Sequence, residues 1–227
     1  MRRFILLAAA ILLSAVLSAQ TWSDSSTVLE KYMVPATGEF VVPDKDGFIG
    51  RWMLLEPISK PNRTNTVFTD SYIHEAFSQT YFNGQLGDVL PKDGSKVKKL
   101  KLRWHAMDSQ RFNVKLYRFA TNLAKERYGV IFWAVTVVNC EEDIPNVRLS
   151  AGSNSASMWW VNGEEALIMS GDRRMVMDDC ASERLTLRKG RNVIWVAVIN
   201  GPGMSDFCVR FLDESGAPVT NFTITTK

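Results

Sequence analysis

The chain of 227 residues is short of the residue types that most enzyme chemistry needs. It has two histidines, His74 and His105, and three cysteines, Cys140, Cys180 and Cys208. No Cys-x-x-Cys pair occurs, which argues against zinc or dithiol redox chemistry. Two histidines without a cysteine cluster make a poor donor set for a transition metal. Gly-x-Ser-x-Gly is missing, and an α/β-hydrolase needs that strained elbow to expose its serine. An SGNH-type esterase would carry Gly-Asp-Ser early and Asp-x-x-His late. Here Gly171-Asp172 is followed by Arg173, and neither histidine lies in the C-terminal half. The adjacent carboxylates Glu141-Glu142, Glu164-Glu165 and Asp178-Asp179 do not form glycosidase pairs, because neighbours on a strand project to opposite faces. Three cysteines allow at most one intramolecular disulfide, and free, buried thiols are the expectation.

Net charge is small as well, at a formal +3. The first residues supply part of it. Met1-Arg2-Arg3 precedes an apolar run from Phe4 to Leu17 and the small residues Ser18-Ala19, which reads as a signal peptide over residues 1–19. The run is too short to span a bilayer comfortably. Loss of Arg2 and Arg3 leaves a formal charge of about +1. That balance lacks the basic footprint that nucleic-acid binding requires. The expectation is therefore a periplasmic or extracellular protein without a membrane span in its mature form and without a nucleic-acid partner.

Aromatic residues are plentiful, at 11% with seven tryptophans. Residues 20–47 read as a lead-in, with Val34-Pro35 and Phe40-Val41-Val42-Pro43 limited by proline to edges and connections. Residues 48–227 read as one all-β domain. Phe48 to Leu55 fits a buried strand stopped by Pro57, and Lys60–Thr69 a polar loop. Asp70, as an N-cap, heads a short helix through Phe77. Pro91–Lys99 is a turn followed by a basic stretch. Leu100, Leu102 and Trp104 alternate with Lys101 and Arg103 as in a half-exposed strand, and Val114, Leu116 and Arg118 repeat that spacing. Val130–Val138 is apolar throughout and rich in β-branched and aromatic residues, as in a strand buried on both faces. Asn162-Gly163 between two strand-like halves marks a hairpin with a type I′ turn. Val193–Ile199 and Phe207–Leu212 are two further core strands. Many short strands with hardly any helical period indicate a sandwich.

The C-terminal half carries a further pattern. Trp160-Val161-Asn162-Gly163 is followed by Leu185-Thr186-Leu187-Arg188-Lys189-Gly190-Arg191-Asn192. An apolar strand comes next, and then Phe207–Leu212 running into Asp213-Glu214-Ser215-Gly216. This order, over residues 128–220, resembles the galactose-binding-like jelly rolls attached to glycoside hydrolases and carbohydrate esterases. The whole chain is also similar to Bacteroidetes proteins labelled acetylxylan esterase, through Phe48-Ile49-Gly50-Arg51-Trp52, Thr69-Asp70-Ser71-Tyr72 and Gly171-Asp172-Arg173-Arg174-Met175. The resemblance implies a jelly-roll β-sandwich with short helical insertions and a non-catalytic, carbohydrate-binding or accessory role in plant-polysaccharide (xylan-type) breakdown. It implies a polysaccharide or oligosaccharide ligand, and a glycoside hydrolase or esterase as partner. Two other readings stay open: a carbohydrate esterase with an unrecognised site, and an envelope protein-interaction or structural module.

Sugar recognition asks for aromatic rings beside polar groups that fix orientation. Trp159 and Trp160 are consecutive on a strand, so one belongs to the core and the other is a candidate platform, unless the lead-in covers it. Trp133 and Trp195 belong to the core. Asn162 lies at the same hairpin. The irregular segment Ser170–Ser182 holds Asp172, Arg173, Arg174, Asp178 and Asp179, which suit either a glycan site or a local salt-bridge network. The resemblance, through the structural Ca2+ frequent in such domains, adds Asp178 and Asp179 as candidate cation ligands; no other cofactor is expected.

Overall fold

The structure, a computed structural model, describes residues 29–227. The signal-peptide segment and the lead-in up to residue 28 lie outside the described residues. The elements, in chain order, begin with β1 (Met33–Pro35), β2 (Arg51–Leu55), β3 (Ile58–Ser59), α1 (Asp70–Ser78), β4 (Lys96–Val97), β5 (Leu102–Ser109) and α2 (Leu116–Asn122). The second half holds β6 (Val130–Cys140), β7 (Ile144–Asn154), β8 (Ala156–Val161), β9 (Glu164–Met169), β10 (Cys180–Ala181), β11 (Leu185–Leu187), β12 (Gly190–Asn200), β13 (Asp206–Leu212) and β14 (Phe222–Thr225).

They form the expected all-β sandwich. The larger sheet runs β1-β5-β2-β6-β12-β8-β9, with β3 and β14 also on β6 and β4 on β5. The smaller sheet is centred on β7, with β13 on one side and β10 and β11 on the other. Every strand pairing is antiparallel. From β6 onward the chain passes back and forth between the sheets, as a jelly roll does.

β6 and β12 are the spine. They pair without a break from Gly190↔Cys140 to Asn200↔Val130. Their side chains alternate between two apolar environments, as a pleated strand requires. Phe132, Ala134, Val138, Ile194, Val196 and Val198 face the smaller sheet, where Leu149, Ala151, Phe207, Val209 and Phe211 meet them. Ile131, Trp133, Val135, Val193, Trp195 and Ile199 face the other way. That second face is covered by the insertion between β3 and β5, which contributes Phe68, Ile73, Phe77 and Phe82. The domain is therefore three layers deep.

The insertion seats itself through α1. Thr69 caps the helix, its hydroxyl accepting from the Tyr72 N–H, so the cap lies one residue ahead of the expected Asp70. Ile73, Ala76 and Phe77 sit at i, i+3 and i+4 and bury one face. Phe77 meets Trp133 edge-on at 5.8 Å between ring centroids, and Phe82 stacks on Trp195 at 5.9 Å. Three indole N–H groups in the core are paired: Trp52 donates to the Ile49 carbonyl, Trp159 to Ser157 Oγ and Trp195 to the Gly87 carbonyl.

A buried arginine of the sandwich ties down the lead-in. Arg51, 2% exposed, reaches both carboxylate oxygens of Asp108 at 2.7 and 2.8 Å. It also donates to the Thr37 carbonyl at 2.5 Å. A guanidinium suits this task because its planar fork satisfies a carboxylate and a carbonyl together.

One expected strand is a helix. Val114, Leu116 and Arg118 alternate, yet Leu116–Asn122 forms α2, because Leu116, Phe119 and Ala120 bury at helical spacing. β7 had no counterpart in the sequence reading. The Asn162-Gly163 turn is as expected, with φ of 53° and 82° joining β8 to β9. The cysteines are free thiols, two of them buried.

The aromatic seam between insertion and sheet gives a direct test. Trp133→Ala should cost about 3–5 kcal/mol in denaturant unfolding, as deletion of a buried large aromatic does. Phe77→Ala should be non-additive with it, with a coupling of about 0.5–1.5 kcal/mol for such a pair. Strict additivity would mean that the insertion does not dock on the sheet as described.

Candidate functional site

The residues singled out by sequence are mostly structural. Trp159 is fully buried in the inter-sheet core, edge-on to Phe207 at 5.4 Å. Trp160 is 5% exposed and stacks on Trp133 at 5.5 Å. The two rings do project to opposite faces, but both faces are covered, and Trp160 is roofed by Phe77 of the insertion instead of the lead-in. Neither is a sugar platform. Asn162 locks the hairpin: its carbonyl accepts from the Val193 N–H and its amide donates to Asn192 Oδ1.

The Ser170–Ser182 segment packs on the outer face of the smaller sheet. Gly152 of β7 permits this, since a Cβ there would stand 1.8 Å from the Val176 carbonyl oxygen. All its candidate charges except Arg174 are engaged by other side chains. Arg173 donates to Asp179 Oδ2 at 2.9 and 2.5 Å and reaches Cys180 Sγ at 3.3 Å. Asp178 pairs with Arg210 and accepts from Ser150 Oγ at 2.8 Å. The Arg210 guanidinium, against the opposing effect of burial, holds the Asp178 carboxyl below its usual range. Asp172 accepts from Asn65 Nδ2 at 2.8 Å. Arg174 is exposed and takes no part in these hydrogen bonds or ion pairs. The segment is thus a salt-bridge network. A Ca2+ ion would have to displace a guanidinium from both Asp178 and Asp179, so these residues do not fit the expected cation. Among the described residues no group of three or more His, Cys, Asp or Glu side chains is placed to hold a metal.

The histidines sit in separate places. His105 Nε2 lies 3.2 Å from Glu56 Oε1, and Lys125 Nζ lies 3.1 Å from Glu56 Oε2. Burial pushes the Glu56 carboxyl up, but hydrogen bonds from Lys125 and His105 outweigh it and leave the pKa lowered. His74 Nδ1–H donates to the Asp70 carbonyl at 2.9 Å, and Nε2 meets the Glu165 carboxylate at 3.0 Å, tying α1 to β9. Burial raises the thiol of Cys140 to about 11 and that of Cys208 to about 12, so both are protonated and unreactive at neutral pH.

Several depressions are large enough for a ligand, among them one of about 490 Å³ beside Phe77, Phe82 and Gln85. One of about 410 Å³ opens between β9 and β11, lined by Glu164, Glu165, Glu183, Arg184 and Arg188 without an aromatic ring. Another of about 270 Å³ lies against Met33, His105, Phe119 and Leu123. The largest, about 690 Å³, lies in the insertion. Thr80, Tyr81, Phe82 and Asn83 form one wall, and Pro91 with Ser95–Lys99 the other, over Trp104. Tyr81 is half-buried, anchored by its hydroxyl on the Ala76 carbonyl at 2.9 Å, while Phe82 meets Trp104 edge-on at 5.2 Å. The floor is thus the rim of the aromatic cluster.

The second wall is a hairpin. β4 pairs with β5 as Lys96↔Arg103 and Val97↔Leu102, and the chain turns through Lys98–Lys101, with Lys101 at φ 57°. Asp93 holds its base, accepting from the Ala106 N–H at 2.8 Å. Lys92, Lys96, Lys98, Lys99 and Lys101 are all exposed. Sequence reasoning registered this stretch as basic and assigned it no role; Tyr81, Phe82 and Trp104 were not connected to it. The usable signal was five lysines in ten residues against one aspartate whose carboxylate serves the fold.

No protein-family model and no curated protein matches the chain. Among solved structures it is similar to a PA14 sugar-binding domain from an RTX adhesin, at 10% identity and a TM-score of 0.41. The alignment covers 77% of this chain and 96% of that one. At that TM-score the likeness carries no argument. No helix among the described residues is long and apolar enough to cross a membrane.

The His74–Glu165 contact is pH-dependent with a defined sign. The Asp70 carbonyl and, against partial burial, the Glu165 carboxylate raise the His74 pKa above its ordinary 6.5. Stabilisation from this contact is complete below about pH 6.5 and is lost as pH rises through the raised folded value. An NMR titration of His74 should give a midpoint above 6.5, lowered in Glu165→Gln but kept partly raised by the Asp70 carbonyl. An identical midpoint in both proteins would show that the pair does not form in solution.

Proposed function

We propose that this chain is an exported, non-catalytic carbohydrate-binding module that serves plant-polysaccharide breakdown. The observation that carries the reading is the groove of about 690 Å³ in the insertion, larger than the depressions of about 490, 410 and 270 Å³ and the one with Tyr81, Phe82 and Trp104 in its walls and floor. Its volume falls in the range of small-molecule sites, and it combines apolar rings with convergent polar groups, as saccharide recognition requires. Rigid support comes from the three-layer core beneath it. Export rests on the Met1-Arg2-Arg3 leader with its apolar run. The xylan-type setting rests on the galactose-binding-like pattern from Trp160 to Gly216, and the partner in that setting would be a glycoside hydrolase or esterase.

The test is affinity electrophoresis of the purified protein in gels containing xylan, arabinan or pectin. Retardation by at least one glycan is expected, with no acetate released from acetylated xylan. Tyr81→Ala should weaken binding by about tenfold, the effect of losing about 1.4 kcal/mol of ring contact. Arg174→Ala, on the segment with engaged charges, should leave binding unchanged. Loss of binding in Arg174→Ala with full binding in Tyr81→Ala would move the site to the Ser170–Ser182 segment. No retardation on any glycan would contradict the reading.

A further inference from the structure

What sets the β4–β5 hairpin apart is the density of its cations, five lysines in ten residues. Arg51, Lys115, Lys125, Arg173 and Arg210 each have a carboxylate partner. The five lysines from Lys92 to Lys101 have none among the described residues, although they share one short hairpin. The nearest acid in sequence, Asp93, is committed to the Ala106 N–H. Arg103, paired opposite Lys96, adds a sixth cation and donates to the Gly94 carbonyl. Concentrating like charge on one hairpin costs self-repulsion, which an anionic ligand relieves. Lysines also blunt exposed sheet edges, and the two-residue β4 is such an edge. Edge protection does not require the cations to line a cavity, and Lys96, Lys98 and Lys99 line this one opposite Tyr81.

Resting on the carbohydrate reading above, we infer that the groove selects acidic saccharides. The carboxylates of uronic-acid residues pair with Lys96, Lys98 and Lys99, while Tyr81 packs against a sugar ring. An ammonium on a flexible stem suits this task, because carboxylates on successive sugar residues are not held at one fixed spacing. A groove of this volume takes a short stretch of chain, whereas a bilayer meets a convex surface and would leave the aromatic floor unused.

The experiment is isothermal titration calorimetry of the full chain with oligogalacturonates, with neutral xylo-oligosaccharides of equal length, and with vesicles containing phosphatidylglycerol. The comparison protein is K96Q/K98Q/K99Q, whose substitutions are at exposed positions; its folding is checked by its unfolding midpoint. Oligogalacturonate should bind at least about tenfold tighter than the neutral oligomer, the sum of several weak exposed ion pairs. That advantage should vanish in the triple variant and shrink with added salt, since exposed pairs are screened. The salt response of the unaltered protein keeps the test valid if the variant fails to fold. Equal binding of acidic and neutral oligomers would overturn the inference and leave the carbohydrate reading intact. No binding of either oligomer would overturn the inference, and together with no retardation in the xylan, arabinan and pectin gels it would overturn the carbohydrate reading as well. Vesicle binding that is lost in the triple variant, without oligogalacturonate binding, would replace the glycan with a membrane surface.

Discussion

The structure depends on the pairing of β6 with β12. Two eleven-residue strands, apolar on both sides, lie at the centre of the larger sheet and cannot leave either face in water. The inner face is covered by the smaller sheet, as in any sandwich. The outer face needs a second cover, and the insertion between β3 and β5 supplies it with α1 and the loops that follow. That requirement turns a two-layer fold into a three-layer one. It also places the groove of about 690 Å³ within the added layer.

How legible this was varied with the kind of signal each residue set carries. Val130–Val138 and Val193–Ile199 announce themselves, because a doubly buried strand has no polar alternation to interrupt it. Asn162-Gly163 is as plain, since few other pairs accept the backbone of a type I′ turn. β7 is silent: Ser150, Gly152, Ser153 and Asn154 show no apolar alternation, yet they are paired residue for residue with β13. Small and polar residues serve there because other elements press on them from outside, as Val176 does on Gly152. The misreading of Leu116–Asn122 has a similar origin. A seven-residue helix shows barely two turns of period, and Val114, Leu116 and Arg118 happen to alternate across its start.

The candidate site was harder to read than the fold, for a related reason. Charge and aromatic content are visible in a sequence, but engagement is not. The arginines and aspartates of Ser170–Ser182 had the composition of a binding loop, and three dimensions pair Arg173 with Asp179 and Asp178 with Arg210. Trp159 and Trp160 had the chemistry of platforms and are both covered, one by the smaller sheet and one by Phe77. The lysines of the β4–β5 hairpin had the composition of an ordinary solvated turn. They stand out only once Tyr81, Phe82 and Trp104 are seen to meet them across a cavity.

The account stands on one claim, that ligand contact belongs to the insertion and not to the sandwich edges or the Ser170–Ser182 segment. Hydrogen–deuterium exchange of the full chain, with and without a saturating glycan, locates that contact directly. The account predicts slowed exchange confined to residues 80–83 and 91–104, with the 161–188 region unchanged. Protection between β9 and β11 or across Ser170–Ser182, with the insertion unaffected, would contradict it.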